Sequence, residues 1–293
     1  DGALSADILS EYWREGFYIF EGVVGAEAIV SGAMASTALK ALELKGNRFG
    51  SDGVLVLLHA AGSTGAQWRG VLGELDGRYH TLTPDLWGHG RTSFWPEPNT
   101  LLHDDQADLL KRILDEVGVE SFDLVGHSYG GGTAIRFVLE HPEMVRSLVL
   151  IEPMVACFLR ELGETEALDE LEGIQNDFKR LLDAEGPEAA WKGFLDFRNE
   201  PGTWDGYEEK TRQNFIRRTP AQLANFNANA NNRTTVAEMD LIKHPTLVIR
   251  GIDTSLYDMR MSEIVALLWP EQHGVPPRQL NVLGREQHRL PPA

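Results

Sequence analysis

Short apolar runs alternate with amphipathic stretches along most of the chain. Val54-Leu55-Val56-Leu57-Leu58 contains only Val and Leu and ends at His59-Ala60-Ala61-Gly62. Phe122-Asp123-Leu124-Val125 ends at Gly126, and Leu148-Val149-Leu150-Ile151 ends at Glu152. Thr246-Leu247-Val248-Ile249 ends at Arg250-Gly251, and Leu280-Asn281-Val282-Leu283 ends at Gly284. Runs this short, bounded by turn residues, predict strands buried on both faces, as in a parallel sheet. Between them the spacing turns helical. Residues 104–117 place Leu109, Leu110, Ile113, Leu114 and Val117 on one face. Residues 131–140 do the same with Ala134, Ile135, Val138 and Leu139, and His141-Pro142 ends that helix. Strand and helix in alternation define an α/β fold with a mostly parallel sheet flanked by helices. Functional groups of such sheets gather at the carboxyl ends of the strands.

Two segments break the alternation. Residues 154–240 are rich in Glu, Asp, Leu, Trp and Asn and hold no strand-like run, which predicts a helical lid inserted between two strands of one sheet. Trp191, Phe194, Phe197, Trp204 and Phe215 lie there, at spacings that favour the lid's own core over a substrate pocket. Residues 1–50 do not follow the sheet pattern. The expected organisation is therefore an atypical N-terminal segment at 1–50, a sheet core at 51–153 and 241–293, and a lid at 154–240. No internal repeat is visible.

Composition narrows the partners. The net charge of −17 sets an acidic surface against nucleic acid and anionic lipid, so no nucleic-acid partner is expected. No apolar run approaches the roughly 20 residues of a membrane span, and no basic region precedes an apolar stretch at the start. The chain starts at Asp1, and a missing natural start is expected. Cys157 is the only cysteine, which excludes an internal disulfide and fits a reducing, cytoplasmic location. A small-molecule partner remains; oligomeric state is not legible.

The chemistry centres on Gly126-His127-Ser128-Tyr129-Gly130, a G-x-S-x-G pattern between a predicted strand and a predicted helix. A serine held on so sharp a turn needs small neighbours two residues away on each side, and the following helix aims free N–H groups at it. Gly131 and Gly132 let that helix approach the sheet closely. Nine histidines are available as a general base. His127 adjoins the serine and cannot swing round to it, and His89 in its glycine loop reads as a support.

With these motifs in order, the sequence resembles the α/β-hydrolase family. His59-Ala60-Ala61-Gly62 is similar to its His-Gly oxyanion loop, Asp85-Leu86-Trp87-Gly88-His89-Gly90-Arg91-Thr92 to its D-x-x-G-x-G-x-S loop, and Gly126 to Gly130 to its nucleophile elbow. The resemblance implies Ser128 as nucleophile, and Ala61 and Tyr129 as backbone donors to an oxyanion. It implies His288, shortly after the last strand, as the base. No metal or organic cofactor is implied. The family's usual G-x-x-D acid position holds Thr254 here. That leaves Glu152, at the end of the preceding strand, as the favoured acid and Asp253 as the alternative; Asp258 lies four residues too late. Haloalkane dehalogenases, within the same family, take their acid from the Glu152 position, but a serine nucleophile argues against their chemistry. The implied activity is a serine esterase, cleaving a carboxylic ester, thioester or lactone through an acyl-enzyme. The alternative is a hydrolase-fold protein that binds a small ligand without turnover, motivated by the missing G-x-x-D acid and by a chain that ends five residues after His288. The stretch from Tyr12 to Val23 resembles the opening of phytanoyl-CoA-dioxygenase-like proteins, which bind iron through H-x-D. His103-Asp104-Asp105 has that form but opens a predicted helix.

Overall fold

Side chains alternate across a strand, so a run apolar at every position must bury both its faces. The computed structural model, which describes residues 53–75, 79–251, 254–268 and 280–283, shows this division. In strand β1 (Val54–Leu58), Val54, Val56 and Leu58 enter one core, while Leu55 and Leu57 enter the other. The same split divides Leu124, Leu148, Leu150 and Val248 from Val125, Val149, Ile151, Leu247 and Ile249.

The chain runs through helix α1 (Arg69–Glu74), β2 (His80–Leu82), α2 (His103–Glu116), β3 (Phe122–His127), α3 (Tyr129–Glu140) and β4 (Val145–Ile151). Then come α4 (Ala156–Leu162), α5 (Thr165–Glu185), α6 (Pro187–Arg198), α7 (Thr203–Gly206), α8 (Glu209–Arg217) and α9 (Thr219–Ala230). Strand β5 (Thr246–Gly251), α10 (Leu256–Leu267) and β6 (Leu280–Leu283) follow. All five strand pairs are parallel, in the order β2-β1-β3-β4-β5-β6. The chain steps outward from β1 to β2 and returns to β3 on the other side of β1. This switch leaves a crevice at the carboxyl ends of β1 and β3, the position where such sheets take ligands.

Every sequence-predicted strand is present. β2 is additional, as are α1 and α10. The Asn-rich stretch is part of α9, whose Asn225 and Asn229 are buried. The helices between β4 and β5 carry a second core of Phe178, Trp191, Leu195, Trp204, Phe215 and Phe226. The predicted aromatic set thus divides: Trp191, Trp204 and Phe215 are core, Phe194 packs beside them and also lines a cavity, and Phe197 is about half exposed. Among the described residues, no helix is long and apolar enough to cross a membrane. The N-terminal segment 1–50 lies outside the described residues.

Candidate functional site

Ser128 follows β3 directly and caps α3, with φ 51 and ψ −113. Ser128 and Glu152 are the two non-glycine residues with positive φ among the described residues. Such a conformation is strained for a side chain with a Cβ and persists only where its surroundings enforce it. Here they do. The Ser128 N–H donates to Ile151 O at 2.8 Å, and Ser128 O accepts from Gly131 N at 2.8 Å and Met154 N at 2.9 Å. The flanking glycines are steric requirements. A Cβ on Gly126 would lie 2.5 Å from Gly130 O, and one on Gly130 would lie 2.6 Å from Leu58 O. Gly131 and Gly132 are equally close to Pro153 and Met154, so α3 rests on the strand-end backbone.

The loop after β1 is fixed by side chains distant in sequence. His59 donates from Nδ1 to Ala60 O at 2.8 Å and accepts at Nε2 from Leu86 N at 3.1 Å. His89 donates from Nδ1 to Trp87 O at 2.8 Å and accepts at Nε2 from Gly62 N at 3.3 Å. Arg218 donates to Gly62 O at 3.0 Å. Burial holds the His59 imidazole down at about pKa 4 and lowers His89 well below its ordinary value, so both are neutral acceptors. Ala60 donates its N–H to Gln67 Oε1 at 3.0 Å. Its φ is negative, so alanine fits the backbone here without glycine's freedom. Asp85 closes the next loop by accepting from Gly65 N at 2.8 Å and Arg91 N at 3.0 Å.

Ala61, Ser128 and Tyr129 line one cavity of about 30 Å³, which Phe194, Arg198, Gln222, Phe226 and Asn229 from α6 and α9 also line. The structure thus brings together the predicted serine and both predicted backbone donors. Glu152 stands at the end of β4, fully buried, with φ 43. Its N–H donates to Ile249 O at 2.9 Å, and its Oε1 accepts from Gly251 N at 3.0 Å. Among the described residues, its Oε2 is buried without a hydrogen-bond partner. Burial, then the Asp258 carboxylate, push the Glu152 carboxyl up to about 7, against the pull of Gly251 N–H, Arg198 and Thr254. His288 and Asp253 lie outside the described residues.

Asp258 and Arg198 carry no motif, and the sequence assigns them no role in the site. Asp258, the first-turn acid of α10, accepts from Ser255 Oγ at 2.7 Å and from Arg198 Nη1 at 2.5 Å. Arg198 also meets the Tyr257 hydroxyl. A buried arginine implies a buried acid partner, but the sequence gives no sign that Arg198 is buried. The H-x-D of α2 does not form a metal site. His103 is buried, with Nδ1 3.0 Å from Thr133 Oγ1 and Nε2 3.0 Å from Asn229 Oδ1. Among the described residues, no group of three His, Cys, Asp or Glu could hold a metal ion.

A parallel sheet with a switch point, a strained serine between a strand and a helix, and a backbone loop facing it are the parts of one fold family. A family profile for the alpha/beta hydrolase fold matches residues 53–278. The chain belongs to the α/β-hydrolase fold family. Among curated relatives, it is 27% identical over 250 residues to 2-hydroxy-6-oxo-2,4-heptadienoate hydrolase of Pseudomonas putida, covering 82% of this chain and 83% of that one. It is 35% identical over 135 residues to 2-hydroxymuconate semialdehyde hydrolase of Pseudomonas sp. strain CF600; that match covers 44% of this chain and only 46% of the relative. Among solved structures, MenH from S. aureus superposes with a TM-score of 0.59 at 22% identity, over 79% of this chain and 85% of that one. A meta-cleavage product hydrolase, CumD, superposes with a TM-score of 0.52 at 23% identity, over 80% and 84%. At these identities the two structures speak for the shared fold.

Proposed function

We propose that this chain is a serine hydrolase of small acyl compounds, with Ser128 as nucleophile. The observation that carries the reading is the strained Ser128 between Gly126 and Gly130, facing a cavity lined by Ala61 and Tyr129. Ser128 Oγ adds to the substrate carbonyl as His288 takes its proton. The N–H groups of Ala61 and Tyr129 donate to the oxyanion, each donor of this kind being worth roughly 3 kcal/mol in rate. His288 passes the proton to the leaving group, and water releases the acyl group by the same steps in reverse. Glu152, as carboxylate, holds the imidazole in the tautomer that accepts from the serine and stabilises its charged form; Asp253 is the alternative acid. Burial and Asp258 raise the Glu152 pKa to about 7 against the hydrogen bond from Gly251 N and the attraction of Arg198, so the carboxylate this role needs prevails above that pH.

The helices between β4 and β5 act as a lid. Phe194, Arg198, Gln222, Phe226 and Asn229 of these helices line the cavity that Ser128 lines, so an entering substrate meets them directly. The favoured substrates are carboxylic esters, thioesters and lactones. A second reading has its own support: two curated relatives are named as hydrolases of 2-hydroxymuconate semialdehyde and 2-hydroxy-6-oxo-2,4-heptadienoate. In that reading the bond broken beside the carbonyl is carbon–carbon. A fluorophosphonate probe tests the common core. Ser128 labels in wild type and not in Ser128→Ala. A folded wild-type protein that does not label is the non-catalytic ligand-binding alternative. A panel of p-nitrophenyl esters of varied acyl length, run beside a 2-hydroxy-6-oxo-dienoate, separates the two substrate classes.

A further inference from the structure

Gln222 is 1% exposed, and among the described residues its Oε1 is buried without a hydrogen-bond partner. It lines the cavity that Ser128, Tyr129 and Ala61 line. Buried amide oxygens are nearly always bonded, because an unpaired one retains its full desolvation cost. A residue left so at a site is explained when a ligand supplies the partner.

The rest of the wall says what kind of partner. Gln222, Phe226 and Asn229 are spaced i, i+4 and i+7 on α9, which puts them on one helix face, and all three line the cavity. That helix is held at separate points by groups of the sheet layer. Asn225 Nδ2 donates to His89 Nε2 at 3.2 Å, and Asn227 Nδ2 donates to Leu101 O at 3.1 Å. Asn229 Oδ1 accepts from His103 Nε2 at 3.0 Å. Because His103 occupies the Asn229 oxygen, its amide NH₂ is the group left for a ligand. Two side chains of this face thus carry unused hydrogen-bonding capacity, an acceptor at Gln222 Oε1 and a donor at Asn229 Nδ2. Arg198 lines the same cavity, but Asp258 neutralises it. Among its described lining residues the cavity thus presents no unbalanced positive charge for an anion; Met154, Leu171, Ile174 and Phe194 are apolar, and Gln175 and Tyr257 add neutral polar groups.

We propose that Gln222 and Asn229 form a polar subsite for a neutral group that both donates and accepts a hydrogen bond, a hydroxyl or a primary amide on the substrate. This deepens the serine-hydrolase reading, since the group lies in the cavity beside Ser128. Hydroxylated substrates are then preferred over their deoxy analogues, because the analogue leaves Gln222 Oε1 unpaired.

Two matched pairs of esters test it: p-nitrophenyl 3-hydroxybutyrate against p-nitrophenyl butyrate, and 2-hydroxyethyl butyrate against propyl butyrate. Wild type is expected to favour the hydroxylated member of at least one pair by about tenfold or more in kcat/KM. In Gln222→Leu that ratio is expected to collapse towards one; Gln222→Met serves if the leucine variant does not fold. No preference in wild type, or a ratio unchanged in the variant, overturns the proposal. If the fluorophosphonate probe fails to label Ser128, the hydrolase reading falls, and thermal shifts then read the subsite alone. A larger Tm rise with 3-hydroxybutyramide than with butyramide, lost in Gln222→Leu, sustains the subsite. Equal shifts overturn it.

Discussion

Arg198 and Asp258 make an ion pair at 2.5 Å in which neither side chain is more than 5% exposed. It joins α6, from the helices between β4 and β5, to α10, which follows β5. Glu152 adjoins it, with Asp258 raising and Arg198 lowering its carboxyl pKa. Breaking a buried pair on one side strands a charge and costs about 3–5 kcal/mol. Arg198→Leu is expected to destabilise the protein by that order in urea unfolding. Arg198→Leu with Asp258→Leu is expected to lose clearly less than the sum of the two single changes. Additive losses would mean the pair is not coupled.

Glu152→Gln is expected to move activity and stability in opposite directions. The folded carboxyl titrates at about 7, above its unfolded value of 4.5. Between these values the native state holds a proton that the unfolded chain has released, so wild-type stability falls as pH rises through the window. Glutamine removes that dependence while keeping an acceptor for Gly251 N. At pH 8 the variant is expected to melt higher than wild type. Its kcat/KM is expected to fall about 10³–10⁴-fold, as when a triad acid can no longer stabilise the imidazolium. Retained activity in Glu152→Gln with loss in Asp253→Asn would move the acid to Asp253.

The buried histidines set an acid limit. Burial lowers His59 and His103 to about 4, His127 to about 3, and His89 well below 6.5. Each stays neutral in the native state while its unfolded counterpart protonates near 6.5. Their contribution is therefore whole above pH 6.5 and is lost as pH falls towards 4. Glu152 acts in the opposite sense, as does Asp105, whose carboxyl pKa burial also raises, against the four histidines. The melting temperature is expected to drop between pH 6.5 and pH 5, measurable by calorimetry in buffers of matched ionic strength.

Gly130→Ala tests the elbow. The added Cβ would meet Leu58 O at 2.6 Å and His59 O at 2.7 Å, both backbone atoms with little freedom to yield. Overpacking of this kind typically costs about 1–3 kcal/mol. The variant is expected to melt lower and to lose fluorophosphonate labelling even where it remains folded. Unchanged labelling would show that the turn tolerates a side chain.

Strands β1, β3, β4 and β5 were legible because they are buried on both faces and so read as largely apolar runs. β2 was missed because His80–Leu82 is three residues long and partly exposed. α10 was missed because buried Tyr257, Asp258, Met261, Ser262, Ile264 and Val265 fall on more than one face and mix polar with apolar side chains. That Ser128, Tyr129 and Ala61 line one cavity was readable because backbone geometry ties them to short local motifs. Arg198, Asp258 and Gln222 were not, since what sets them apart is burial against partners from other elements, which no local spacing records. His89 was read correctly as a loop support, but its bond to Asn225, far along the chain, was beyond the sequence.

The strand order also bears on how the chain reaches its native state. Ile151 of β4 pairs with Ile249 of β5, and all six helices α4–α9 lie between them. A ladder closed across so long an excursion forms slowly, because the entropy of bringing its ends together is lost before any pairing compensates it. The intervening helices have their own aromatic cluster around Phe178 and Trp191 and need not wait for that ladder. In refolding, tryptophan burial in this cluster is expected to precede completion of the sheet. The crevice above Ser128, which needs both layers, would then be among the last features assembled.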